Sequence, residues 1–68
     1  MLSKNLKMIR EEKGFSRLQL EKISGISQRT VEFIEKEKVK NPKIMTLEKL
    51  ATALDVTVND LIKNSMED

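Results

Sequence analysis

The side chains with the most chemistry to offer in this 68-residue chain are Gln28, Arg29, Glu32 and Phe33. Their spacing puts them on one side of a helical repeat, with Val31 and Ile34 on the other. A carboxamide, a guanidinium, a carboxylate and an aromatic edge can tell nucleobases apart. Glutamine pairs in two-pronged fashion with adenine, arginine with guanine, glutamate accepts from cytosine, and an apolar edge meets the methyl of thymine. The plainer reading of such a stretch is a solvated helix face.

Other chemistries are excluded by composition. The chain has no histidine and no cysteine, which removes disulfides, imidazole or thiolate metal sites and cysteine nucleophiles. Carboxylates, lysines and hydroxyls remain, and 68 residues hardly suffice to wrap a substrate pocket. No enzyme, cofactor or metal is therefore expected, and a binding module is. No apolar run nears the roughly 20 residues needed to span a bilayer, and the opening residues lack the apolar stretch of a signal peptide, so a cytoplasmic protein with no membrane partner is expected. Charge is uneven: residues 1–43 hold eleven Lys/Arg against six Asp/Glu, whereas residues 44–68 hold two against five. The basic half suits an anionic partner.

The elements that must position these residues are marked by two glycines, one proline and a series of hydroxyl caps. Leu2, Leu6 and Ile9 recur at helical spacing up to Gly14, predicting a first helix over about Ser3 to Lys13. Ser16-Arg17-Leu18-Gln19 fits a capping box and opens a second helix, with Leu20 and Ile23 inward, that ends at Ser24-Gly25. Ser27 caps a third helix running from Gln28 to about Lys36. Pro42 forces a turn in the connector. Ile44, Leu47, Leu50, Ala51 and Leu54 then predict a fourth helix that is largely core, stopping at Asp55. Thr57-Val58-Asn59-Asp60 opens a short fifth helix carrying Val58, Leu61 and Ile62. The whole reads as one all-α domain over 1–68, with its core in 3–63 and a frayed tail over 64–68.

Between Arg17 and Ile34 the pattern of short helix, glycine-containing turn and two-faced short helix is that of a helix-turn-helix. Leu20, Ile23, Val31 and Ile34 would lock the pair at a steep angle and let the second helix enter a major groove about 12 Å wide.

Leu6 to Ile62 resembles the Cro/repressor family of the xenobiotic-response-element type. The likeness is carried by Leu6-Lys7-Met8-Ile9-Arg10, Glu11-Glu12-Lys13-Gly14, Ser16 with Leu20, Gly25-Ile26-Ser27, Ile34-Glu35, Asn41-Pro42 and Leu47 through Leu54. Leu47-Glu48-Lys49 and Leu54-Asp55-Val56 are similar to the sporulation-inhibitor type of bacterial repressor. The resemblance implies a compact five-helix lambda-repressor-like DNA-binding domain with its helix-turn-helix at helices 2 and 3. It implies that Gln28, Arg29, Glu32 and Phe33 meet bases. Phosphate contacts are expected from Ser16, Arg17, Ser27, Thr30, Lys38, Lys40, Asn41 and Lys43. Arg10 and Glu35 correspond to an ion pair that commonly joins the first and third helices.

Two positions depart from the family. Glu21 stands where alanine is usual, so either its side chain bends outward or the helices cross differently. Lys43 replaces the usual serine or threonine cap of the fourth helix, which predicts a less clean start.

One helix in one groove reads few base pairs, so a homodimer on a palindromic operator is expected, with half-sites roughly 34 Å apart. The resemblance puts the pairing surface at Val58, Leu61 and Ile62, with Met45 and Met66 as additions. A sequence-specific double-stranded DNA-binding transcription regulator is the leading expectation, acting as a repressor by occlusion. The competing one is a protein-interaction module, of antitoxin-like or anti-repressor-like kind, using Phe33, Met8 and Met45 as its patch.

Overall fold

The computed structural model describes residues 2–39 and 41–63. Among them the chain forms five α-helices and no strand: α1 (Leu2–Glu12), α2 (Arg17–Ser24), α3 (Gln28–Glu35), α4 (Ile44–Leu54) and α5 (Val58–Ile62). No helix among the described residues is long and apolar enough to cross a membrane. The expected elements are all present, within a residue or so at their ends, and the frayed tail expected over 64–68 lies outside the described residues.

Each helix end follows from local chemistry. Gly14 takes φ 79° after α1, so that its N–H donates to the Glu11 carbonyl and that of Phe15 to the Arg10 carbonyl, at 3.0 and 3.1 Å. These two bonds satisfy carbonyls that the helix leaves unpaired. The capping box at α2 is complete: Ser16 Oγ accepts from the Gln19 N–H at 3.1 Å, and Gln19 Oε1 accepts from the Ser16 N–H at 2.8 Å. Gly25, at φ 78°, closes α2 with its N–H on the Glu21 carbonyl. Helix α4 begins at Lys43 with no side-chain cap hydrogen bond, as a lysine there predicts, and ends at Asp55 in the left-handed region. Thr57 and Asp60 form a second reciprocal capping box at α5.

The core unites Leu6, Leu20, Val31, Ile34, Leu50, Ala51, Leu54 and Leu61, with Phe15, Ile26 and Val39 among the partly buried residues packed on it. Helix α1 lies against α3 and α5, α2 against α3 and α4, and α4 against α5. Two expected core positions are corrected. Ile23 is 50 % exposed. The inner face of α2 is the one shared by Arg17, Leu20, Glu21 and Ser24, and at about 100° per residue Ile23 lies roughly 110° from its centre. The next apolar residue, Ile26 in the turn, packs on the core in its stead. Ile44 is also exposed, because it is the first residue of α4 and the buried stripe starts one turn later at Leu47.

Leu61 corrects a third expectation. Expected at a pairing surface, it has no exposed area and belongs to the protomer's own core. Beside it, Asn5 is buried and donates through Nδ2 to the carbonyls of Leu61 and Lys63. That side chain satisfies the end of α5 from α1, a role the sequence pattern did not mark.

Candidate nucleic-acid interface

Helix α3 is held from beneath and at both ends. Val31 and Ile34 are buried on its inner side. At its C-terminal end Glu35, with a side chain only 1 % exposed, receives two cations. Arg10 of α1 donates through Nε and Nη2 to the two carboxylate oxygens at 2.7 and 3.2 Å, and through Nη1 to the Phe15 carbonyl at 2.7 Å. The expected Arg10–Glu35 pair is thus a fork with its third donor also used. Arg17, expected on a phosphate, places its Nε on Glu35 at 3.1 Å and is a third exposed. The start of α2 is therefore tied to the end of α3.

The N-terminal end of α3 is closed twice. Ser27 Oγ accepts from the Thr30 N–H and donates to Thr30 Oγ1, at 3.2 and 2.9 Å. Glu21 Oε1 accepts from the Gln28 N–H at 2.8 Å. The glutamate at the family's alanine position extends past the helix contact and caps the neighbouring helix. Beyond the C-terminal end, Glu37 at φ 59° turns the chain, with its N–H on the Ile34 carbonyl and the Lys38 N–H on that of Phe33.

With its inner side buried and both ends closed, α3 presents its remaining side to solvent. Gln28, Arg29 and Phe33 are exposed and Glu32 is partly so; no part of the described chain covers them. Glu32 accepts from Lys36 Nζ at 2.8 Å. This bond and the lysine's charge lower the pKa of the Glu32 carboxyl, and the charges of Arg17 and Arg29 act the same way. The Arg29 guanidinium stands 5.7 Å from the centre of the Phe33 ring, one turn along. It is within reach of a cation–π interaction.

The residues assigned to phosphates fall on two sides of this face. Ser16 and Arg17 stand at the start of α2, and Ser27 and Thr30 at the start of α3; the hydroxyls of Ser16 and Ser27 are engaged as caps. Lys38, Asn41 and Lys43 are exposed in the connector after α3, and Lys40 lies outside the described residues. Of the residues assigned to pairing, Ile62 is 49 % and Met45 63 % exposed. Val58 is partly buried against the core, and Met66 lies outside the described residues. The two site residues that sequence reasoning missed are Glu21 as a cap and Lys36 as the partner of Glu32. The second was legible as an i, i+4 acid–base pair.

A glycine turn joining two short helices, the second with an outward polar side, is the arrangement of the helix-turn-helix class. The chain belongs to that family, whose model, described as helix-turn-helix, matches residues 6–61. It is 34 % identical over 67 residues to the HTH-type transcriptional regulator SinR of Bacillus subtilis, and equally to SinR of Bacillus licheniformis, matching 98 % of its own length. It spans 60 % of the length of these relatives.

Among solved structures it superimposes on SinR, the master regulator for biofilm formation, in complex with DNA, with a TM-score of 0.88 at 35 % identity over 93 % of this chain and all of that one. The N-terminal DNA-binding domain of SinR from Bacillus subtilis gives 0.89 at 34 %, over 96 % of this chain and 94 % of that one. The SinR/SinI complex gives 0.90 at 34 %, over 98 % and 65 %. The Cro/repressor-type family and the five-helix fold expected from Leu6 to Ile62 are borne out.

Proposed function

We propose that this chain, acting as one domain, binds double-stranded DNA in a sequence-specific manner as a transcription regulator. Helix α3 lies in the major groove with Gln28, Arg29 and Phe33 against bases. Glu32 can join them through Oε1, since Lys36 takes only Oε2. Thr30, Lys38, Lys40, Asn41 and Lys43, with the capped starts of α2 and α3, contact phosphates and set register, and Arg17, held to Glu35 through Nε, has its two Nη groups left for one. The observation that carries this reading is the bare polar side of a helix whose inner face and both ends are fastened by Val31, Ile34, Glu35, Ser27 and Glu21. Such fastening orients a helix without using the side chains that would read sequence. The DNA complex of SinR supports the partner.

Two copies on a palindrome repress by occluding polymerase. Since Leu61 is spent in the core, the pairing surface is Ile62 with Val58 and Met45. Selection of bound duplexes from a random pool tests the proposal: a palindrome bound by two chains, with affinity falling steeply as salt rises, is the expected result. Binding to duplex DNA that is negligible at low salt overturns it. It would favour a protein-interaction module, for which Phe33, Met8 and Met45 are exposed and the SinR/SinI complex is a precedent in a relative.

A further inference from the structure

We infer that Arg29 and Phe33 act as one reading unit, the ring holding the guanidinium over a guanine while its free edge meets the C5 methyl of a thymine in the neighbouring base pair. The inference rests on the DNA reading above and adds the base step that α3 selects. Phe33 is 39 % exposed on an otherwise polar side and is not among the residues packed on the core. Its ring lies 5.7 Å from the Arg29 guanidinium. The acid nearest along the helix for Arg29, Glu32 one turn away, is bonded to Lys36 instead. Among the described residues Arg29 forms no ion pair, and its donors stay available for the O6 and N7 acceptors of guanine.

The geometry makes the two groups partners rather than neighbours. One turn of helix separates their Cα atoms by about 6 Å along the axis, and stacked bases are about 3.4 Å apart along a strand. The Cα separation is just under two base steps, and a guanidinium leaning toward the ring shortens it, which brings the base pair next to the one the ring edge touches within its reach. Stacking also reduces the rotamer freedom that Arg29 loses on binding, since its planar fork is already oriented. Guanine and thymine would then be recognised jointly, each contact weakening when the other is removed.

Base analogues test this in the duplex recovered from the random pool. For the unaltered protein, replacing each thymine singly by deoxyuridine removes only a methyl. One thymine per half-site, next to a guanine, should respond with about a fourfold loss of affinity, the effect of burying one such group. Replacing that guanine by 7-deazaguanine should also weaken binding. With Phe33→Ala the deoxyuridine effect should vanish and the 7-deazaguanine penalty should shrink about two- to fivefold, the worth of an exposed cation–π contact. Phe33→Tyr, which keeps the ring, should restore both responses. The inference is overturned if no thymine responds to loss of its methyl, or if Phe33→Ala weakens natural and substituted duplexes by the same factor. Failure of the unaltered chain to select any sequence would instead overturn the DNA reading itself, before any analogue is used. The deoxyuridine series on unaltered protein needs no variant to fold.

Discussion

The Glu21 carboxylate accepts the backbone N–H of Gln28 at 2.8 Å, joining the middle of α2 to the first residue of α3 across the turn. A helix start leaves up to four N–H groups without partners. Here Ser27 takes that of Thr30 from within the same segment and Glu21 takes that of Gln28 from the preceding helix. The carboxylate also lies at the end of α3 where the helix dipole favours negative charge. A residue that departs from the family's usual alanine thus fixes the angle at which the polar side of α3 is presented.

Removing that cap gives the first prediction. Glu21→Ala should lower stability by about 1 kcal/mol, which for a domain of this size is about 4–8 °C in thermal midpoint. Glu21→Gln keeps an acceptor oxygen and should recover most of the loss. Amide exchange at Gln28 should accelerate in the alanine variant and change little in the glutamine variant. An equal shift in both would place the effect on charge rather than on the hydrogen bond.

The Glu35 cluster behaves differently because it is dry. Glu35→Ala leaves the Arg10 guanidinium, whose side chain is 8 % exposed, buried without its carboxylate. Breaking a buried pair from one side costs about 3–5 kcal/mol, a large part of the total stability of a small domain. Arg17→Ala removes the outer cation, a third exposed, and should cost less than about 1 kcal/mol. Urea unfolding of the two variants measures the contrast, and comparable losses would contradict it.

Acid sensitivity should be visible at α5. The Thr57 backbone N–H and hydroxyl bond to Asp60 and hold its carboxyl below the ordinary 3.8, with Lys63 adding to the effect. A carboxyl that is more acidic in the folded state contributes stability that is complete above its unfolded value and fades as pH falls through the folded one. The capping contribution should therefore be constant above about pH 4 and be lost below it. A carbon-13 titration of the Asp60 carboxyl should show a midpoint below 3.8, and Thr57→Ala should move it upward. A midpoint unmoved by that substitution would remove the Thr57 hydroxyl as a contributor and leave the backbone N–H, which alanine keeps, as the cause.

Sequence periodicity and caps were enough for the helices because those signals are local: Ser16 with Gln19, Gly25, Ser27, and the Leu47–Leu54 stripe each act within a few residues. The exposure of Ile23 was not legible, since the inner face of α2 is chosen by what α3 and α4 bring against it rather than by the short α2 stripe alone. Asn5 and Glu21 were missed for a related reason. Each satisfies a backbone group on another helix, 56 residues away for Asn5 and Leu61, and composition carries no trace of such a partner. The Arg10–Glu35 pair was found because a family resemblance supplied the pairing that spacing could not. Leu61 was misplaced because an apolar residue in a short terminal helix suits a dimer contact and a closing core contact equally well.

The division between residues that read bases and residues that hold phosphates gives the last prediction. Arg29 stands on the bare side of α3, 5.7 Å from the centre of the Phe33 ring, whereas Lys43 is exposed at the start of α4 and makes no capping hydrogen bond. Replacing Lys43 therefore removes a charge without removing a cap. Lys43→Ala should weaken binding to operator and random duplexes by a similar factor and reduce the slope of log affinity against log salt by about 0.9, the counterions released by one phosphate contact. Arg29→Ala should cost about 1–3 kcal/mol per half-site on the operator and relax preference at one base pair. It should leave random-duplex affinity much less affected. The measurement is a salt titration of both variants on both duplexes. Parallel losses for Arg29→Ala and Lys43→Ala on operator and random DNA would mean that α3 senses the charge of the groove and not its sequence.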